Sequence, residues 1–170
     1  PKFIPNDAVE ITLSDNAKMN VRMIDCVGYI VDNAMGHIEN DAPRMVSTPW
    51  FDREIPFEQA AEMGTKKVIT DHSTIGLVIT TDGSISDIPR DEYEECEERV
   101  ISELKSINKP FVIVMNSADP YSRQTRELIE QLSEKYETPV VAVNCLELSE
   151  DDIKNIMQEV LFSFPVKEIN

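Results

Sequence analysis

The sequence has no segment of the form G-x-x-x-x-G-K-[ST], the loop in which backbone amides and a lysine hold nucleotide phosphates. Glycine is scarce, with five residues in 170, and no glycine precedes a lysine. These isolated glycines are Gly28, Gly36, Gly64, Gly76 and Gly83. A complete phosphate-binding loop of this type is therefore excluded between Pro1 and Asn170.

Basic residues are also in short supply. The chain has 16 Lys and Arg against 32 Asp and Glu, which gives a formal net charge of −16. Proteins that bind nucleic acid neutralise phosphates with clustered cations, so this balance argues against a nucleic-acid partner.

Apolar runs of membrane-spanning length and a recognisable signal peptide are absent as well, so neither a transmembrane helix nor secretion is predicted.

Cysteine and histidine are too few and too dispersed for a disulfide framework or a zinc site. The cysteines Cys26, Cys96 and Cys145 lie far apart, and we expect buried free thiols in a reducing cytosol. The histidines His37 and His72 have no acidic or cysteine partners at the spacing of a metal site. Neither residue type therefore predicts a metal centre.

What the sequence does contain, after residue 56, is a regular alternation of strand and helix patterns. Short apolar runs are typical of strands buried on both faces, and apolar residues at spacings of three and four are typical of helices. The predicted strands cover residues 75–80, 110–115 and 139–143. The predicted helices cover residues 57–71, 91–107 and 122–136, with a last helix that begins at a capping box of Ser149 and Asp152. This alternation predicts an α/β fold with a mostly parallel sheet and helices on both faces.

The first part of the chain predicts a hairpin and then a long irregular segment. Residues 8–13 alternate polar and apolar, turn residues follow, and a second strand is predicted over 21–25. This hairpin is expected to add one antiparallel strand to the sheet. Residues 26–55 have no strong pattern, and so long a loop in a compact domain indicates function or mobility.

Two strand ends carry residues typical of a nucleoside triphosphatase. At the first, Asp25 and Gly28 form Asp-x-x-Gly. An acid in this position holds Mg²⁺, usually through water, and the glycine amide can approach a γ-phosphate without steric hindrance. Asp25 and Gly28 are therefore the candidate catalytic residues, with Asp25 as the metal ligand. The alternative is that Asp25 caps a turn and Gly28 only satisfies a backbone dihedral.

The second motif, Asn-Ser-Ala-Asp at 116–119, resembles the Asn-Lys-x-Asp guanine reader of GTPases, with serine in place of lysine. Its aspartate can accept two base N–H groups, and a bidentate base contact contributes roughly 1–3 kcal/mol of discrimination. The alternative is that the asparagine braces the loop and the aspartate is a turn residue. Since the carboxyl ends of parallel strands share one rim, the end of the last strand should lie nearby. The candidate base-side residues are Asn116, Ser117, Asp119, Asn144 and Cys145.

Longer stretches are more specific than these short motifs. The most specific is His-Ser-Thr-Ile-Gly-Leu-Val-Ile-Thr-Thr-Asp-Gly at 72–83. Together with other stretches, it resembles the stage IV sporulation protein A family, the spore-coat morphogenetic ATPases of endospore-forming Firmicutes. The other stretches are residues 21–29, 36–50, 55–62, 65–69 and 110–117. The resemblance covers essentially the whole chain.

The resemblance implies a fold similar to that of translation-factor-type P-loop GTPases. It also implies that the protein hydrolyses ATP with Mg²⁺, and that this hydrolysis drives assembly of a static polymer. Asp25 matches the Walker-B acid of the family, whereas Asp119 is not carried over as an ATP contact. The implied partners are other copies of the protein, other spore-coat morphogenetic proteins and a small amphipathic membrane-anchoring peptide. The implied location is the spore coat, on the cytoplasmic, mother-cell side of the outer forespore membrane.

On this interpretation residues 1–170 are the C-terminal part of an ATPase domain, whose first strand, phosphate loop and first helix would precede Pro1. The isolated segment is then expected to be inactive, since it lacks the phosphate loop. Two other interpretations stay open. One is a nucleotide-independent interaction module for self-association of coat proteins, and the other is a GTPase that prefers GTP.

Overall fold

The structure, a computed structural model, describes residues 4–14, 17–31, 34, 36–39 and 41–164. The strands are β1 (Val9–Ser14), β2 (Ala17–Val21), β3 (Ile38–Glu39), β4 (Ala42–Pro43), β5 (Met45–Val46), β6 (Ile55–Pro56), β7 (Gly76–Thr81), β8 (Phe111–Asn116) and β9 (Val140–Val143). The α-helices are α1 (Phe57–Lys67), α2 (Asp91–Ser106), α3 (Arg123–Tyr136) and α4 (Glu150–Phe162). Within the described residues, no helix has the length and apolarity needed to span a membrane.

The central element is a parallel sheet of β7, β8 and β9, with β8 in the middle. The side chains Phe111 to Met115 of β8 are buried, because this strand has a neighbour on each side and packed layers on both faces. The α/β fold is thus confirmed, and the three predicted strands lie within one residue of the observed bounds.

Helices cover both faces of this sheet, as predicted. Successive residues of β8 belong to two different apolar clusters, because side chains alternate along a strand. One cluster joins the sheet to α2 and α3, and it includes Ile101, Leu104, Ile113, Met115, Leu132 and Tyr136. The other joins the sheet to α4 and the hairpin, and it includes Leu13, Val112, Val114, Ile156, Met157 and Val160.

Local sequence determines where the helices begin. α3 follows Ser122, whose Oγ accepts a hydrogen bond from the Thr125 N–H at 3.1 Å. α4 begins with the predicted capping box: Ser149 Oγ accepts from the Asp152 N–H, and the Asp152 carboxylate accepts from the Ser149 N–H. α1 is shorter than predicted, since the chain continues from it into a π-helical turn at Val68–His72.

The opening hairpin is confirmed, but its second strand and its place in the fold differ from the prediction. β1 pairs antiparallel with β2, which covers Ala17–Val21 rather than 21–25. The strand ends there because Arg22 and Met23 are both exposed, so the alternation of buried and exposed side chains stops. The hairpin is a separate two-stranded sheet that packs on the α4 side through Leu13, so the predicted antiparallel strand is not part of the parallel sheet.

The described part of the segment 26–55 is less irregular than predicted. It contains two antiparallel ladders, in which β3 pairs with β4 and β5 pairs with β6. Each of these strands is two residues long. A two-residue strand has no periodicity, which is why the sequence pattern gave no indication of them.

The cysteines are free thiols, as predicted, but two of them are not buried. Cys26 and Cys145 are exposed, while Cys96 on α2 is half-buried. Cys26 lies beyond the end of β2 and Cys145 beyond the end of β9, where the chain has already left the packed layers. The prediction of burial was wrong for these two residues, because neither lies within a strand of the packed layers.

Candidate nucleotide-binding site

The loops that follow β8 and β9 are held side by side at the carboxyl ends of these strands. Asn116 Oδ1 accepts a hydrogen bond from the Cys145 N–H at 2.9 Å, and the Ser117 N–H donates to the Val143 carbonyl, also at 2.9 Å. Asn144 Oδ1 accepts from the Leu146 N–H at 3.0 Å, which closes the turn after β9. The predicted base-side residues Asn116, Ser117, Asn144 and Cys145 therefore come together, and Asn116 braces the loop.

Ser117 points into the protein rather than toward a ligand. Its residue is fully buried, and its Oγ donates a hydrogen bond to Asp82 Oδ2 at 2.5 Å. Thr125 Oγ1, in the first turn of α3, donates to the same carboxylate oxygen at 2.8 Å. The other oxygen, Asp82 Oδ1, accepts from the N–H of Ser84 at 3.0 Å and from the Ser84 hydroxyl. Asp82 thus joins the loop after β7 to the loop after β8.

Two opposing effects act on the Asp82 carboxylate. Partial burial raises its pKa, but the hydrogen bonds from Ser117, Ser84 and Thr125 together outweigh burial and hold the pKa below its ordinary value. The carboxylate is therefore ionised at neutral pH. The adjacent Gly83 has a φ of 86°, and a Cβ there would lie 2.8 Å from the backbone N of Arg90, so the turn after Asp82 requires glycine.

Asp119 lies at the surface of the same loop. Its Oδ1 accepts a hydrogen bond from the Tyr121 N–H at 3.2 Å, as an Asx turn does, and its own N–H donates to Ser117 Oγ at 3.1 Å. The residue is exposed. Nearby Cys145 is also exposed, yet desolvation raises the pKa of its thiol, which lowers the fraction of reactive thiolate.

Asp25 stands apart from this network. It is exposed, and within the described part of the chain no hydrogen bond or ion pair connects it to the loops after β7, β8 or β9. The described residues also include no group of three or more His, Cys, Asp or Glu that could hold a metal ion. Within these residues, Asp25 thus has no hydrogen bond or ion pair that links it to the base-side residues, and it lies beyond the end of β2 at Val21.

Gly28 occupies a conformation that favours glycine, and its amide has a partner. Its φ is 81°, and a Cβ would meet nothing within 4 Å, so the requirement for glycine comes from the backbone alone. The Gly28 N–H donates to Thr65 Oγ1 at 2.9 Å, and Thr65 is a buried residue of α1.

The residues after Gly28 are docked on α2. The Tyr29 hydroxyl donates to the Glu103 carboxylate, and the Arg99 guanidinium lies 4.4 Å from the centre of the Tyr29 ring. Burial, reinforced by the Glu103 carboxylate, raises the pKa of the Tyr29 phenol. Cys96 Sγ donates to the Ile30 carbonyl at 3.2 Å. The amide of Gly28 is therefore held by a segment with several anchors.

The sequence alone assigned no role in this region to Asp82, Thr125 or Thr65. Asp82 belongs to the stretch 72–83 that carries the family resemblance, but no partner was predicted for its side chain. An aspartate followed by glycine at the carboxyl end of a buried strand was the available signal. Thr125 and Thr65 carried no signal, because each looks like an ordinary polar residue in a helix.

The family described as stage IV sporulation protein A, ATPase domain, matches residues 1–165. The stage IV sporulation proteins A of Bacillus anthracis and Bacillus subtilis (strain 168) are each 51% identical over 170 residues, 100% of this chain. That of Clostridioides difficile (strain 630) is 54% identical over 169 residues, 99% of this chain.

The chain spans about a third of the length of these relatives: 35% of the two Bacillus proteins and 34% of the Clostridioides protein. No solved structure matches the chain, so the predicted likeness to translation-factor-type P-loop GTPases stays a prediction. The match over residues 1–165 and the identity across the whole chain are nevertheless decisive for the family. The chain belongs to the stage IV sporulation protein A family, and its residues 1–165 match the ATPase domain of that family.

Proposed function

We propose that the chain is part of an ATPase whose hydrolysis of ATP drives self-assembly of the spore-coat basement layer on the forespore surface. The match of the ATPase domain of stage IV sporulation protein A to residues 1–165 carries this proposal. The proposed partners are further copies of the protein, other spore-coat morphogenetic proteins and a small amphipathic membrane-anchoring peptide. The proposed location is the mother-cell side of the outer forespore membrane.

Asp25 is the residue proposed to hold Mg²⁺, through water. Its carboxylate is exposed and, within the described part of the chain, has no partner that would compete with a ligand. A single acid suits Mg²⁺, which keeps several waters and is bound through one or two carboxylates together with substrate phosphates. When bound, the ion supplies positive charge that offsets the charge on the phosphate oxygens.

Gly28 is proposed to contact the γ-phosphate through its backbone N–H. In this structure the N–H donates to Thr65 Oγ1 at 2.9 Å. The amide therefore has to leave Thr65 before it can donate to a phosphate oxygen. The anchors of Tyr29 on Glu103 and Arg99 can stay in place during that change, since they involve the side chain of the next residue.

The loops after β8 and β9 are proposed to border the nucleobase. Asn116 joins these two loops through its hydrogen bond to the Cys145 N–H, and Asp119 presents an exposed carboxylate beside them. Ser117 contributes by supporting the loop from inside, because its side chain is fully buried. Asn144 and Cys145 contribute the second border.

The test is ATP hydrolysis by the full-length protein and by the 170-residue chain, with Mg²⁺. We expect turnover by the full-length protein, loss of turnover in Asp25→Ala, and unchanged turnover in Asp52→Ala, which removes another exposed acid. The 170-residue chain should release no more phosphate than its own Asp25→Ala variant, since it has no phosphate loop. Absence of turnover in the full-length protein, or turnover by the short chain above that control, contradicts the proposal.

A second candidate is a nucleotide-independent module for self-association. It is favoured by apolar side chains that are exposed in the first third of the chain. They are Val9, Met23, Val27, Ile38, Met45, Trp50 and Phe51. Assembly of the full-length protein at the same rate with and without ATP, followed by light scattering, would support this candidate over the first.

A GTPase is the remaining alternative, and the Asn-x-x-Asp loop at 116–119 is the feature that favours it. Because the lysine of the guanine-reading motif is a serine whose side chain is buried, we expect no preference for GTP. Competition between ATP and GTP for the full-length protein decides between the two nucleotides.

A further inference from the structure

We propose that Asp82 is a positioning residue for the base-side loop 116–119, and that it sets the part of nucleotide affinity that comes from the base. This inference rests on the proposed nucleotide-binding function. Asp82 directly follows β7, is half-buried, and is not expected to touch the nucleotide. Its effect is exerted through Ser117, Ser84 and Thr125.

The Asp82 carboxylate accepts hydrogen bonds from three residues. Both oxygens of Asp82 are occupied: Ser117 and Thr125 hydroxyls donate to Oδ2, and the Ser84 N–H and hydroxyl donate to Oδ1. Ser117 is fully buried and Thr125 is 2% exposed, so neither hydroxyl can turn to water instead. Hydrogen bonds to a carboxylate are about twice as strong as those between neutral groups.

Two of the hydroxyls bound to Asp82 also hold the backbone of the loop 116–119. Ser84 Oγ accepts from the Ala118 N–H at 2.9 Å, and Ser117 Oγ accepts from the Asp119 N–H at 3.1 Å. Each hydroxyl donates a hydrogen bond to the Asp82 carboxylate and accepts one from a backbone N–H of the loop. The carboxylate therefore orients both hydroxyls, and the hydroxyls fix two consecutive amides.

The same carboxylate fixes the start of α3 through Thr125. Thr125 Oγ1 lies 3.2 Å from the Asp119 carbonyl and 2.7 Å from Ser122 Oγ, the N-cap of this helix. A negative charge near a helix N-terminus is stabilising. The loop 116–119 is thus held at both of its ends, by Ser117 and by the helix that follows it.

This arrangement explains how the loop can be ordered without the lysine of the guanine-reading motif. A lysine at 117 would have a charged amine on a four-carbon stem, which the fully buried site of Ser117 cannot contain. The short hydroxyl reaches Asp82 instead. Base contact is then left to the exposed parts of the loop, of which Asp119 is one.

The test uses the full-length protein, Mg²⁺, and two ligands that differ in the base: ATP and inorganic triphosphate. Asp82→Asn should weaken ATP binding about tenfold, as expected for the loss of charge-assisted hydrogen bonds, and should change binding of inorganic triphosphate less than about twofold. Asp87→Asn is the matched control, because it makes the same change at an exposed position of the loop after β7. It should alter neither the affinity for ATP nor that for inorganic triphosphate.

A second pair of variants distinguishes the effect of the Thr125 hydroxyl from the effect of the size of the Thr125 side chain. Thr125→Ser keeps the donor to Asp82 and should retain wild-type selectivity for ATP over inorganic triphosphate. Thr125→Val removes the donor and should behave like Asp82→Asn. Equal weakening of both ligands by Asp82→Asn, or wild-type behaviour of Thr125→Val, would overturn the proposal.

Amide hydrogen exchange without nucleotide provides a readout that does not depend on the proposed function. Asp82→Asn should accelerate exchange at Ala118 and Asp119 by about tenfold and leave the amides of β8 unchanged. Unchanged exchange at these two amides overturns the positioning role. Accelerated exchange in a full-length protein that binds no nucleotide supports the positioning role and rejects the nucleotide-binding function instead.

Discussion

The Asp82 carboxylate receives side-chain hydrogen bonds from Ser117 and Thr125, which lie 35 and 43 residues further along the chain. Burial raises its pKa, but these hydrogen bonds and those from Ser84 lower the pKa more. A carboxyl group whose pKa is lower in the folded state than in the unfolded state stabilises the fold above its unfolded pKa. That contribution is lost as the pH falls through the folded-state pKa.

Asp82→Asn should therefore destabilise the protein at neutral pH and have less effect in acid. At pH 6 we expect a loss of about 1 kcal/mol in the free energy of unfolding, a reduced value because the carboxylate is partly solvated. The gap between wild type and variant should shrink as the pH falls below about 4, the ordinary pKa of aspartate. Urea unfolding at pH 6, 4 and 3 measures it, and a gap that is constant with pH would contradict the assignment.

At the scale of elements, a buried carboxylate connects α2 to the sheet and to α3. Glu97 on α2 is 4% exposed, and it accepts hydrogen bonds from Thr80 of β7 at 2.6 Å and from Tyr136 of α3 at 2.9 Å. Arg90 completes the cluster with an ion pair at 2.8 Å. Burial, with the Glu97 carboxylate adding to it, raises the pKa of Tyr136 to about 12.

Removal of this carboxylate should be costly, because Arg90 would stay in place with its charge uncompensated. Breaking one side of a buried ion pair typically costs 3–5 kcal/mol, and we expect about 3 kcal/mol for Glu97→Ala. Glu98→Ala is the matched control, since its carboxylate pairs with Lys135 at the surface and an exposed pair contributes at most about 1 kcal/mol. The two variants are compared by urea unfolding; equal losses would show that the cluster is not what holds α2.

Elements with a local signal could be predicted from the sequence. The apolar run Phe111–Met115 can be satisfied only by burial on both faces, and this strand is where it was expected. Ser149 and Asp152, which are three residues apart, form the capping box of α4. The start of this helix can therefore be predicted from a short stretch of sequence. The family resemblance could also be recognised from local sequence, because it rests on contiguous stretches and requires no knowledge of tertiary contacts.

Features that depend on distant partners could not be predicted. In the sequence, Met23 continues the apolar alternation of β2, yet its side chain is exposed and the strand stops at Val21, because packing decides where the strand ends. The role of Asp82 could not be predicted, because its donors Ser117 and Thr125 are far away in sequence. The hydrogen bond from the Gly28 N–H to Thr65 Oγ1 likewise could not be predicted, since the two residues are 37 positions apart.

At the scale of the whole molecule, the dominant property is excess negative charge. The net charge is −16, and six of the eight residues from Asp91 to Glu98 are acidic. Most ion pairs of the described residues are at the surface, where salt screens attraction and repulsion alike. Because acids outnumber bases two to one, repulsion within the folded chain should exceed attraction at low ionic strength.

Added NaCl should therefore stabilise the protein. Between 20 mM and 300 mM, values on either side of the salt concentration at which the Debye length is about 10 Å, we expect the free energy of unfolding to rise on the order of 1 kcal/mol. Glu95→Gln, which neutralises an exposed acid in the dense run on α2, should raise stability at low salt and reduce the dependence on salt. Urea unfolding at both concentrations checks this for wild type and variant. A fall in stability with added NaCl would mean that the ion pairs, such as Arg99 with Glu62 and Lys135 with Glu98, contribute more than the repulsion they accompany.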